Sequence, residues 1–187
     1  MKSRRLLLLI STLVITLVAL VMVVARASAS PNADTRGSET VYDAASAFEA
    51  LKSFEGEWKS TPVGGDESRA STVVYKVSAN GSSVIKTYGP GTKYEMFSVF
   101  HMDGDELLMT HYCAVGNQPK MRFRPSDKPG EIYFEFAGGT NFDPAKDGHA
   151  HEGSTQVTGT DTQESMAISH REGEAQPPRY SKLVRVD

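Results

Sequence analysis

The sequence predicts an all-β domain, a closed up-and-down antiparallel barrel of about ten strands preceded by one short helix. Three observations carry this. Beyond Phe54 the apolar residues recur with period two rather than 3.6, as half-buried strands require. The alternating segments are separated by pairs of hairpin type, Asn80-Gly81, Gly89-Pro90-Gly91, Asp103-Gly104, Lys128-Pro129-Gly130 and Glu172-Gly173. Nearly every connection is short, whereas a sandwich needs longer crossovers for its Greek keys.

Taken in order, the chain opens on "MKSRRLLLLISTLVITLVALVMVVARASAS". A basic start (Lys2, Arg4, Arg5), an apolar run to Val24 and small residues at Ala25, Ala27 and Ala29 read as an export signal with an Ala-x-Ala cleavage site after Ala27 or Ala29. The run approaches the roughly 20 residues that span a bilayer, so residues 1–29 would serve as an N-terminal anchor if left uncleaved. Ser3-Arg4-Arg5-Leu6 also resembles a twin-arginine signal, set against an ordinary basic start. The expected location is extracytoplasmic, periplasmic or secreted. No cysteine stands near the cleavage region, which excludes a lipoprotein anchor.

Residues 30–42 are mostly small, polar and aperiodic, and read as a flexible spacer. The folded domain is expected over 43–187. In "YDAASAFEALKSF", Asp43 is placed as an N-cap and Ala44, Ala47, Phe48 and Leu51 fall at helical spacing, so a helix from about Ala44 to Ser53 is expected to cap one opening of the barrel. Strands follow around Trp58 and at 71–77, 82–88, 93–102, 105–115, 120–125, 131–136, 154–160, 165–171 and 179–186. The one long connection is 137–153, a length typical of a lid or rim loop.

Composition narrows the function. Cleavage after Ala29 would remove four basic residues and no acid, moving the formal charge from -3 to -7. A mildly acidic domain is a poor electrostatic partner for nucleic acid or anionic lipid, so membrane contact is expected only through an uncleaved N-terminal segment. Cys113 is the single cysteine, so stability must come from packing rather than an internal disulfide.

"FEGEWKS" at 54–60, directly after a helix, resembles the Gly-x-Trp start of the first strand in lipocalins and related calycin barrels. "GDELLMTHYCAVGNQPKM", with "GGTNF" and "GHAH" after it, is similar to a group of exported, uncharacterised bacterial lipocalin-like proteins. The resemblance covers most of 44–187. It implies a calycin-like barrel whose cavity holds a small apolar or amphipathic molecule, with Trp58 closing the narrow end. The haem-binding nitrobindins continue from Gly-x-Trp into further glycines, whereas Lys59-Ser60-Thr61-Pro62 follow here, so no cofactor is expected.

Strand parity puts His111 and Cys113 on one face with Leu107 and Met109. Same-face neighbours on a strand stand about 6.7 Å apart, too far for a nucleophilic pair without unusual rotamers. Cys, His and Met are soft copper ligands, but Met121 follows Cys113 with no His between, unlike a cupredoxin loop. Asn117-Gln118 reads either as a turn network or as polar anchors at a barrel mouth. Arg122 and Arg124 alternate with Met121 and Phe123, forming an outward charged face or, pointing inward, a clamp for a carboxylate or phosphate. His149-x-His151 is the weak metal candidate, lacking the third ligand of a cupin pattern because Thr155 and Gln156 stand where Glu would. His101 and His170 read as surface residues.

The expected ligand-binding set is therefore Trp58, Tyr94, Met96, Phe100, His111, Cys113, Asn117, Gln118 and Arg122. The leading reading is a non-enzymatic binding protein for a small, partly apolar molecule. The rivals are a hydrolase or metal enzyme built on His111 with Cys113 or on His149 with His151, and a structural envelope protein with a filled interior. An open cavity reaching His111 separates the first from the last.

Overall fold

A computed structural model describes residues 40–186. The export signal read at 1–29 and most of the spacer lie outside the described residues. Tyr42, at the end of that spacer, is buried in the core, and Gly130 N–H donates to Thr40 O, so the folded domain takes in the last spacer residues.

Helix α1 (Ala44–Ser53) starts where expected. Asp43 accepts from Ser46 N–H at 2.8 Å while its own N–H donates to Ser46 Oγ at 3.0 Å, a reciprocal capping box. Ala47, Phe48 and Leu51 form the buried face, packed against β2, β4 and β5.

The strands are β1 (Gly56–Pro62), β2 (Ser71–Ser78), β3 (Ser83–Tyr88), β4 (Met96–Asp103), β5 (Glu106–Tyr112), β6 (Gln118–Arg124), β7 (Glu131–Thr140), β8 (His149–Gly159), β9 (Thr162–Arg171), β10 (Glu174–Ala175) and β11 (Arg179–Arg185). Each of β1 to β9 pairs antiparallel with the next, and β11 bridges β9 and β1. The sheet therefore closes into a ten-stranded antiparallel barrel. The two-residue β10 lies on the same side of β9 as β11, separated from it by Gln176-Pro177-Pro178. The two prolines have no N–H to give the ladder, so what would be one final strand is split.

Two expectations are corrected. The loop expected at 137–153 is mostly strand, because β7 runs to Thr140 and β8 begins at His149. Gly138 and Gly139 hid this, since glycine weakens a strand pattern. At Gly139 (φ 158°) a Cβ would stand 2.7 Å from Gln118 O, so the close approach of β6 and β7 requires glycine there. Strand β5 stops at Tyr112 instead of running to 115. Gly116, at φ 91°, turns the chain back, and Cys113 N–H donates to Asn117 O.

The core fills the end of the barrel beside α1. Trp58 is fully buried, donates Nε1–H to Phe54 O at 2.8 Å, and meets Phe54 and Tyr75 edge-to-face. Arg185 lies across its ring, 4.5 Å from the centroid. The other end stays open.

Candidate functional site

A cavity of about 710 Å³ opens at the end formed by the β1–β2 connection and the start of β11, with Val63, Arg69, Pro178 and Arg179 at its rim and Leu51 of α1 at its depth. This volume is within the usual range for small-molecule sites.

Register alone orders its walls. Tyr75 is paired with Lys86, Lys86 with Ser98, and Ser98 with His111, so four polar side chains cross four neighbouring strands in one transverse row, of which Lys86, Ser98 and His111 line the cavity and Tyr75 is buried beside them. One step toward α1 a second row runs Val84, Phe100, Met109, Met121, the last three on the cavity wall. Polar and apolar rows thus lie side by side, with Tyr88 above Lys86 and Phe134 closing the apolar side.

Lys86 is only 6% exposed. Its Nζ sits 5.1 Å from the ring centroids of both Tyr75 and Tyr88. Among the described residues no carboxylate forms a salt bridge with it. Burial opposes its charged form, but the phenolic oxygens of Tyr75 and Tyr88 hold its pKa above the ordinary lysine value. Burial raises the Tyr75 phenol, whose hydroxyl donates to Gln163 Oε1 at 3.3 Å. His111 Nδ1 lies 3.0 Å from Ser98 Oγ, and its ring meets Tyr88 edge-on. Burial and the neighbouring Lys86 cation push the His111 pKa down to about 4, so the imidazole is neutral at pH 7.

Of the residues expected from the sequence, Met96, Phe100 and His111 line this cavity. Trp58 lies beneath it rather than on its wall. Tyr94 is corrected from inward to exposed, since it precedes β4 in a turn. Cys113 lies beyond β5 with its thiol 3.8 Å from Met96 Sδ, so it makes no pair with His111. Asn117 donates Nδ2–H to Gly148 O, and Gln118 donates to Gly116 O and accepts from Thr140 Oγ1. These two tie the β5–β6 turn to its neighbours and do not reach the cavity wall. Arg122 points outward to Glu106 at 3.3 Å, and Arg124 to Glu135.

Lys86 stands outside the set expected from the sequence. "SVIKTY" does put Val84, Lys86 and Tyr88 on one face, alternating with Ile85 and Thr87, and in the structure Val84 and Lys86 are the buried pair of the strand. Lysine is so rarely buried that the pattern reads naturally the other way.

His170 is also corrected, from surface residue to member of a cluster. Pairing of β8 with β9 sets it opposite His149, and its ring stacks on His151 at 3.5 Å. His149 Nδ1–H donates to Asp147 O at 2.9 Å, leaving Nε2 to accept from His151 Nδ1–H at 3.0 Å. Both His149 nitrogens are thereby used. Phe136 and Phe142 pack on the same rings. Among the described residues no group of three or more His, Cys, Asp or Glu is arranged to hold a metal ion.

No family model matches the chain and no curated protein matches it. Among solved structures it is similar to a protein of unknown function from the DUF3598 family of Nostoc punctiforme, with a TM-score of 0.49 and 12% identity over 85% of this chain and 53% of that one. The chain spans about half the length of that protein.

Proposed function

We propose that this protein is an exported, calycin-like binding barrel that holds one small amphipathic molecule and does no chemistry on it. The observation that supports this is the cavity of about 710 Å³ in which a polar row lies beside an apolar one. Such a site offers an apolar body a dry wall and a head group its hydrogen bonds. Export rests on the layout of residues 1–29, and membrane contact belongs to that segment alone. Nucleic acid is not a partner in this reading, because the domain is mildly acidic.

The Ser98–His111 contact favours a second reading, a serine hydrolase. Two features oppose it. Among the described residues no carboxylate is seen to orient His111, and a base must become imidazolium when it takes the serine proton, which the Lys86 cation disfavours.

The test is native mass spectrometry of the protein purified from its own host, beside a Met109→Trp variant that fills the apolar wall. A discrete organic mass carried by the wild type and lost from the filled variant is expected. An empty protein whose melting temperature no amphipathic probe raises would point instead to a structural barrel. Ester hydrolysis abolished by Ser98→Ala would move the assignment to the hydrolase.

A further inference from the structure

We propose that the ligand of this cavity is a monoanion, a carboxylic acid with an apolar body, whose carboxylate is held by the Lys86 ammonium. This rests on the binding reading above and names the head group. The starting point is that Lys86 faces the cavity at 6% exposure without an acidic partner among the described residues. A cation removed from water is costly unless a counter-charge and hydrogen bonds replace what it lost. Among the described residues its partners are the rings and neutral phenols of Tyr75 and Tyr88, which bring no full negative charge, so the position of the counter-charge is the cavity itself.

The surrounding groups agree in sign. Ser98 stands beside Lys86 in the row and brings a hydroxyl donor, while Tyr88 adds a phenol from above. At the rim Arg69 and Arg179 are exposed cations. The one acid on the lining among the described residues, Glu152, accepts from Tyr133 OH at 2.8 Å. The cavity is therefore cationic inside a chain whose formal charge is -3, a contrast that draws anions to the mouth.

The charge count selects the head group. One fixed cation beside a neutral His111 matches one negative charge, whereas a phosphate dianion would leave a charge uncompensated in a buried place. The next row, Phe100, Met109 and Met121, receives the body.

The test is calorimetric titration, at pH 8, of the protein purified from its host with decanoate, decan-1-ol and decyl phosphate. Decanoate is expected to bind at least roughly tenfold more tightly than the alcohol, since a charge-assisted hydrogen bond is about twice as strong as a neutral one. In Lys86→Met the acid should fall to the level of the alcohol, with alcohol binding retained as proof that the cavity is intact. Equal binding of acid and alcohol by the wild type overturns the proposal and leaves the binding reading standing. Tighter binding of decyl phosphate overturns the choice of carboxylate. Binding of none of the three overturns both. The wild-type comparison needs no variant, so a misfolded Lys86→Met cannot rescue the idea.

Discussion

A lysine held out of water with no carboxylate salt bridge among the described residues has its desolvation offset only by neutral groups, and Lys86, met by the phenols of Tyr75 and Tyr88, is in that position. Replacing a buried charge with an apolar side chain of similar length is often neutral or stabilising. Lys86→Met should therefore raise the stability of the ligand-free protein by about 1–2 kcal/mol, read as a higher denaturant midpoint at unchanged slope. A marked loss would mean that the ammonium holds Tyr75 and Tyr88 together rather than waiting for a partner. His111 gives a pH signature. Its folded pKa is about 4 against an ordinary 6.5, so between those values the unfolded chain binds more protons than the folded one. Stability contributed by the neutral imidazole is thus complete above pH 6.5 and lost as pH falls to 4, by roughly 3 kcal/mol. His151, also lowered by burial and by His170 and His149, adds in the same direction. His111→Gln should flatten, without abolishing, the slope of stability against pH in that window; an unchanged slope would place the titration elsewhere. Neither residue announces itself in the sequence. His111 was legible as a cavity candidate by parity with Met109, but its partner Ser98 lies across a hairpin, and only the β4–β5 register brings the two together.

At the scale of elements, the closed end is a contact between the first and last strands. Arg185 on β11 donates Nη1–H to Glu55 O at 2.7 Å and Nη2–H to Ser53 O at 3.1 Å, pairs with Asp161 at 2.9 Å, and covers the Trp58 ring. Gly56 is part of the same device. It stands at φ 128°, and a Cβ there would be 3.0 Å from Arg185 Nη1. The Gly and the Trp of Gly-x-Trp are thus coupled through a residue at the far end of the chain. Arg185→Leu keeps much of the apolar stem but leaves the Ser53 and Glu55 carbonyls without their donor. About 2–4 kcal/mol of stability should be lost, by charge-assisted hydrogen bonds and the ring contact together. Urea unfolding followed by Trp58 fluorescence measures it directly, and a loss below about 0.5 kcal/mol, usual for an inert surface site, would refute the coupling. Most elements were readable because alternation and turn chemistry agree, as in "STVVYKV" closed by Asn80-Gly81. Reading failed where glycine supplied the strand, at Gly138 and Gly139. It also failed where a strand was broken from outside its own pattern, as β5 is by the turn at Gly116.

For the whole molecule, closure converts local hairpins into one cooperative unit. Nine strand pairs link neighbours in sequence, but the ring is sealed through β11, whose partners β9 and β1 are far apart along the chain, with a hydrogen bond from Arg185 to Ser53 spanning 132 positions. Such long-range pairing is entropically late to form, and a barrel without it presents two unpaired edges. Removing residues 179–187 would expose the edges of β1 and β9 together and withdraw Leu183, which is 1% exposed, from the core. The truncated chain should lose its near-ultraviolet circular dichroism and its single sharp thermal transition. It should also associate through the open edges, seen as a rising mass in light scattering. Strand β10 is the internal control, because its two residues are exposed and pair on one side only. Glu174→Gly combined with Ala175→Gly should leave the melting transition almost where it was, surface changes of this kind usually being worth within about 0.5 kcal/mol apiece. If the truncated chain still melted cooperatively while the doubly substituted one did not, the seal would lie in the β9–β10 hairpin. The open end, with its Lys86 row, would then depend on a different part of the ring from the one that its strand order indicates.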